Sequence, residues 1–157
     1  MISLMTDSKA TGTQSRLTLN SRLADLTMIC PWVDALAKEH QIPSDTVFAI
    51  NLCLEEALSN VIRHGYAGEP GQSLTVEFIA SEMGGPSFVI EDHAQPFNPL
   101  EAPHVALATT IDHAEQGGRG IRLLRRFAGS LAWEPLPHGN RLTIGFDLAP
   151  KHSQPAS

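Results

Sequence analysis

EEALSNVIRHGY, residues 55–66, decides how the rest of the chain is read. With Leu54, the apolar residues Ala57, Leu58, Val61 and Ile62 recur at the spacing of one helical face. Glu56, Asn60 and His64 stand four residues apart, so an acid, an amide and an imidazole form one file along the same helix. A carboxylate in such a file can accept a proton from a hydroxyl or orient a water. An amide oxygen is a hard ligand suited to Mg²⁺, which takes few protein oxygens and completes its shell with water and phosphate. Alone, E-x-x-x-N also describes the solvated stripe of any amphipathic helix. The decision comes from what surrounds it.

Working outward, the helix has Ser44 or Asp45 as a candidate N-cap, runs to about His64, and is followed by Gly65, a residue suited to the position after a helix end. Before it, SRLADLTMICPWVDALAKEHQ (21–41) reads as a helix with Leu23, Leu26, Met28, Ile29, Val33, Leu36 and Ala37 as its apolar set, and Pro31 must kink or divide it. RLTLN (16–20) alternates as a short strand. On the other side, AGEPGQ is a turn, and SLTVEFIA (73–80) and SFVIEDH (87–93) read as an antiparallel hairpin with Val76, Phe78, Phe88 and Ile90 in the core.

Residues 94–118 hold prolines at 96, 99 and 103 and no periodicity. So long a connection in a compact domain is usually functional, often a lid. GRGIRLLRRFAG (118–129) then reads as a helix opened by glycines, with Ile121, Leu124 and Phe127 on one face. SLAWEPLP and GNRLTIGFDL (139–148) form a closing hairpin. The order β-α-α-β-β-lid-α-β-β predicts an α/β, two-layer sandwich, an antiparallel or mixed sheet with helices on one face. One domain is expected over 15–149, between flexible polar segments at 1–14 and 150–157.

Composition limits the alternatives. A chain of 157 residues, 42% hydrophobic and 18% charged, can bury a core without staples. Its net charge of −6 argues against non-specific nucleic-acid binding, which needs basic surface. Cys30 and Cys53 lie in apolar helical context and read as buried thiols in a reducing compartment. No run of about 20 apolar residues is present to span a membrane, and the first residues lack the pattern of a secretory signal, so a cytoplasmic location is expected. His40, His104, His113, His138 and His152 lack metal-ligand spacing.

Two more places can carry chemistry. GGRG, Gly117 to Gly120, precedes a helix; glycines let backbone amides approach a ligand, and a helix N-terminus favours phosphate. It is neither a dinucleotide fingerprint nor a P-loop. No lysine is placed to cradle phosphates, and Arg119 is the nearest cationic candidate. Asp92, at a strand end, can accept a hydrogen bond from a ligand amino group.

Taken together and in this order, these features resemble the GHKL nucleotide-binding fold, and within it the anti-sigma-factor serine/threonine kinases. EEALSNVIRHGY looks like their N box, VIEDHAQPFNP like their G1 region, GGRGIRLLRRFAGSLAWE like their G2 region and GNRLTI like their final strand. The likeness covers about residues 16–148. It implies ATP and Mg²⁺ as cofactors, with Glu56 as general base, Asn60 as Mg²⁺ ligand and Asp92 reading the adenine amino group. Ala94 and Phe97 then belong to the nucleotide-binding G1 region, and Gly117, Gly118, Arg119 and Gly120 lie near the phosphates. Arg63 and His64 fall beside the site in supporting positions. Ala94 departs from the family pattern, which usually has glycine there.

The resemblance further implies a homodimer that phosphorylates a small anti-sigma-factor antagonist and restrains a sigma factor, with no direct nucleic-acid or membrane contact. The competing expectation, which Ala94 favours, is a catalytically silent module that only sequesters a partner.

Overall fold

The computed structural model describes residues 15–81, 84–101 and 119–148, with backbone only at 119 and 120. Five strands, β1 (Arg16–Asn20), β2 (Ser73–Ile79), β3 (Ser87–Asp92), β4 (Ser130–Leu136) and β5 (Gly139–Gly145), form one sheet in the order β1-β2-β3-β5-β4. Every neighbouring pair is antiparallel, so of the two sheet types expected the antiparallel one is found. Three α-helices are described: α1 (Ile29–His40), α2 (Ser44–Asn60) and α3 (Arg119–Phe127). The architecture is the α/β sandwich that the element order predicts.

Alternation along the strands explains why the helices lie where they do. Leu74, Val76 and Phe78 on β2 and Phe88, Ile90 and Asp92 on β3 are buried, while the residues between them are half-exposed. Register carries the same face across the sheet: Phe88 stands opposite Ile144, Ile90 opposite Leu142 and Asp92 opposite Asn140. Ile29, Trp32, Val33 and Leu36 of α1 and Ile50, Leu54 and Leu58 of α2 close over this face in one core. Phe88 is its centre, with Trp32 edge-on at 5.9 Å, Phe78 at 5.5 Å and Phe146 at 6.0 Å between ring centroids. The other face is polar, where Arg141 pairs with Glu91 at 2.8 Å and with Glu134. β4 is an edge strand, which is where a strand tolerates Pro135.

Several local expectations are corrected. The helix foreseen over 21–41 is divided, one of the two outcomes expected of Pro31, but the break falls at Ile29: Leu23–Met28 is a 3-10 segment, with Leu23 and Met28 each 45% exposed. Pro31 lies in the first turn of α1, where a missing N–H breaks no helical bond. The N-cap of α2 is Pro43, in extended conformation and without a side-chain cap bond; Ser44 and Asp45 are inside the first turn, and Asp45 there meets the positive end of the helix. Gly65 is not a left-handed helix terminator. Instead α2 passes into a π-helical turn, Val61–Gly65, and the left-handed residues are Ala67 and Gly68, with φ of 52° and 75°. Cys53 is buried as expected, but Cys30 is exposed, on the outer side of the first turn of α1.

Candidate functional site

A cleft of about 1330 Å³ opens between α2 and the sheet and is bordered by α3. Glu56, Asn60, His64, Asp92, Ala94 and Phe97 all line it. The apolar phase of α2 determines this arrangement. Leu54, Ala57 and Leu58 turn into the core, which leaves Glu56 and Asn60 half-buried on the cleft side. The π turn begins at the residue after Asn60, and such wide turns interrupt helices most often at functional sites. It carries Arg63 and His64, both exposed, onto the rim.

The sheet end of the cleft is built around Asp92, which is 4% exposed. Its Oδ1 accepts the N–H of Ala94 at 2.9 Å and Nδ2 of Asn140 at 2.9 Å. Asn140 is a hub: its Nδ2 also reaches the carbonyls of Gln95 at 3.1 Å and Ala94 at 3.4 Å. Its Oδ1 accepts Phe97 N–H at 2.9 Å and Trp133 Nε1 at 3.2 Å. One amide thereby ties β3, β4, β5 and the loop after β3 together. Every hydrogen bond to the Asp92 carboxylate among the described residues falls on Oδ1. Oδ2 is therefore the oxygen available to a ligand.

Two glycines make room. Gly139 lies against the Asp92 carbonyl so closely that a Cβ there would overlap it, which holds β5 against the end of β3. A Cβ on Gly65 would stand 3.0 Å from the Ala94 methyl. The backbone of Ala94 lies outside the left-handed region. Alanine therefore costs nothing in conformation at that position, and its methyl is 7% exposed in the space left by Gly65.

Tyr66 braces the same loop: its hydroxyl donates to the Ser73 carbonyl at 3.0 Å and accepts His93 N–H at 2.7 Å. Burial raises its pKa, the His93 hydrogen bond opposes that, and nearby Asp92 adds a smaller upward push. Beneath Glu56, burial and the Glu56 charge push the Cys53 thiol up to about 12, so it is a neutral packing group. Gly117 and Gly118 lie outside the described residues. Arg119 and Gly120 form the first turn of α3, whose Ile121 and Leu124 reach the cleft. The first part of the expected lid is a loop followed by a 3-10 turn at Pro99–Glu101, and residues 102–118 lie outside the described residues.

Residues 19–146 match the model of the histidine kinase-like ATPase domain. The chain belongs to that family. As a histidine kinase-like ATPase domain it is an ATP-binding domain. It is also 30% identical over 122 residues to serine/threonine-protein kinase BtrW of Bordetella bronchiseptica, an alignment covering 76% of this chain and 84% of that protein.

Within this ATPase domain, sequence reading missed Asn140, Tyr66 and Trp133. The GNRLTI strand was assigned to the fold without a role for its asparagine. The available signal was an amide inside an otherwise β-prone strand, at a position facing the core, where an unpaired polar group is costly.

Proposed function

We propose that this chain is an Mg-ATP-dependent serine/threonine protein kinase that phosphorylates a small anti-sigma-factor antagonist and sequesters a sigma factor. The observation that carries the nucleotide part is the buried Asp92 carboxylate, fixed through one oxygen and with the other available, in the same cleft as Glu56 and Asn60. A carboxylate held in this way recognises an amino group, and adenine presents one. The kinase part draws on the likeness to a serine/threonine-protein kinase and on the acid and amide one helical turn apart.

In this reading Asp92 Oδ2 accepts a hydrogen bond from the adenine amino group, and Asn140 keeps it aimed. Asn60 fits a Mg²⁺ site of the kind that uses few protein oxygens: it is half-buried, lines the cleft, and no described residue hydrogen-bonds its side chain. The ion would neutralise phosphate charge. Glu56 takes the proton from the attacking hydroxyl, a role that requires only correct placement and an ionised carboxylate. Ile121 and Leu124 give the cleft an apolar wall. Transfer of this kind depends on positioning and charge stabilisation more than on covalent chemistry.

The test is a calorimetric titration of the protein with ATP, with and without Mg²⁺, beside Asp92→Asn and Asn60→Ala, followed by phosphate transfer to a serine-bearing antagonist domain. We expect Mg²⁺-dependent micromolar ATP binding that Asp92→Asn weakens at least tenfold. A wild-type protein that binds ATP and holds the antagonist domain, yet transfers no phosphate, would establish the silent partner-binding module instead. The conformation of Ala94 gives that module no specific support.

A further inference from the structure

The chain is acidic overall, yet α3 concentrates opposite charge. Arg119, Arg122, Arg125 and Arg126 are four of the 11 Lys+Arg of the whole sequence, within a nine-residue helix that contains no acid. Arg122 and Arg126 are one helical turn apart, each two residues from buried Leu124, and so lie on the face away from the core. Both are exposed, and among the described residues neither joins an ion pair. Arg125 points elsewhere, donating to the Leu100 carbonyl at 3.0 Å.

Beside this charge lies an aromatic ledge. Phe48 of α2 is 61% exposed and meets Phe127 of α3 edge-to-face, with ring centroids 6.1 Å apart. The Arg126 guanidinium lies 5.4 Å from the Phe127 ring centroid. Phe48, Phe127 and Arg126 thus form one continuous surface across the α2–α3 seam, with Arg122 one turn further along α3. On α2 the exposed acid Asp45 lies one turn before Phe48 and is the only acid within a turn of it.

We propose that this surface docks an acidic segment of a partner protein, one that sets an apolar side chain on Phe48 and Phe127 and places carboxylates on Arg122 and Arg126. Charge complementarity selects the occupant. Phenylalanine and arginine are both enriched in protein interfaces relative to the rest of the surface, and arginine suits bidentate carboxylate pairing. A phosphate backbone is the poorer match, because the chain as a whole, at a net charge of −6, repels it. The proposal stands apart from the kinase reading, since Phe48, Phe127, Arg122 and Arg126 do not line the cleft.

The experiment is fluorescence anisotropy with a labelled synthetic helix that has Leu and Phe at i, i+3, i+4 and i+7 and Glu or Asp elsewhere. It is titrated with the full chain, without nucleotide and with ATP. We expect saturable binding that weakens as salt is raised. Phe48→Ala and the double variant R122E/R126E should each reduce affinity tenfold or more. A peptide with its apolar residues changed to serine should lose binding. Because the substituted residues are exposed, circular dichroism should show an unchanged fold. Binding that neither variant weakens would overturn the proposal. So would equal competition by a 20-base-pair DNA duplex or by anionic lipid vesicles. A wild-type chain that self-associates through Phe48 and ignores the peptide would assign the surface to a second copy and also overturn it.

Discussion

The two ends of the cleft are built differently. At the sheet end, Asp92 is 4% exposed, Asn140 is 6% exposed, and five hydrogen bonds converge on the one amide. At the helix end, Glu56 and Asn60 are half-buried, and no described residue hydrogen-bonds either side chain. In the proposed kinase, this difference would separate recognition from reaction. A group that reads a ligand's edge must be held before the ligand arrives, because an unfixed buried carboxylate would bind poorly and destabilise the fold. A group that receives a proton or a metal ion has to stay open to both. On that reading one end is constrained by the core and the other would be constrained by its ligand.

This contrast predicts an ordering of effects. The largest should come at the open end: Glu56→Gln is expected to lower phosphate transfer by about 10²–10⁴-fold while calorimetric ATP affinity stays near the wild-type value. Loss of both together would mean that Glu56 belongs to recognition and would break the division. At the fixed end, Asn140→Ala should destabilise the fold by about 2–3 kcal/mol, because it leaves Trp133 Nε1 and Phe97 N–H without partners and Asp92 Oδ1 with only the Ala94 N–H. Urea melts would read the loss, and ATP affinity should fall with it. Asn60→Ala, by contrast, should leave the melt within about 0.5 kcal/mol of wild type.

Gly65→Ala tests the contact between the two ends, since its methyl would meet that of Ala94 at 3.0 Å. We expect a loss of about 1–3 kcal/mol from overpacking, relieved in the double variant with Ala94→Gly. Additive losses in that double variant would show that the two positions do not share the space.

At neutral pH, where both the folded and the unfolded thiol are protonated, the smallest effect is at Cys53. The folded thiol holds its proton to about 12 while an ordinary thiol ionises from 9.0. Its contribution to stability is thus present below pH 9 and is lost as pH rises from 9 towards 12. At pH 8 a thiol reagent should label exposed Cys30 and leave Cys53 unreacted until the protein is unfolded. Labelling of both in the folded state would place Cys53 in a mobile part of α2.

Much of the helix end was legible because helical periodicity is local. Once Leu54, Ala57 and Leu58 face the core, Glu56 and Asn60 are committed to another side by geometry alone. Asp92 was legible as the last residue of an alternating strand, but its burial was not, since that depends on β2 and β5 flanking β3. The π turn was not legible: Gly65 reads as the residue after a helix end, and the apolar spacing of Val61 and Ile62 fits an ordinary α-helical turn as well as a wider one. The division of the first helix was legible from Pro31, but its place at Ile29 and the 3-10 form of Leu23–Met28 were not, because Leu23 and Met28 fit the apolar period while each stands 45% exposed.

By itself, then, the sequence determined the order of the elements, the faces of α2 and the hairpin of β2 and β3, because these follow from side-chain periods of 3.6 and 2.0 between neighbours in the chain. The tertiary structure alone decided that Asn140, 48 residues beyond Asp92, supplies the bond that aims it. Pairing across β3 and β5 is what places those two residues side by side. A buried amide takes its meaning from the partners that satisfy it, and those partners are set by strand register rather than by sequence neighbours.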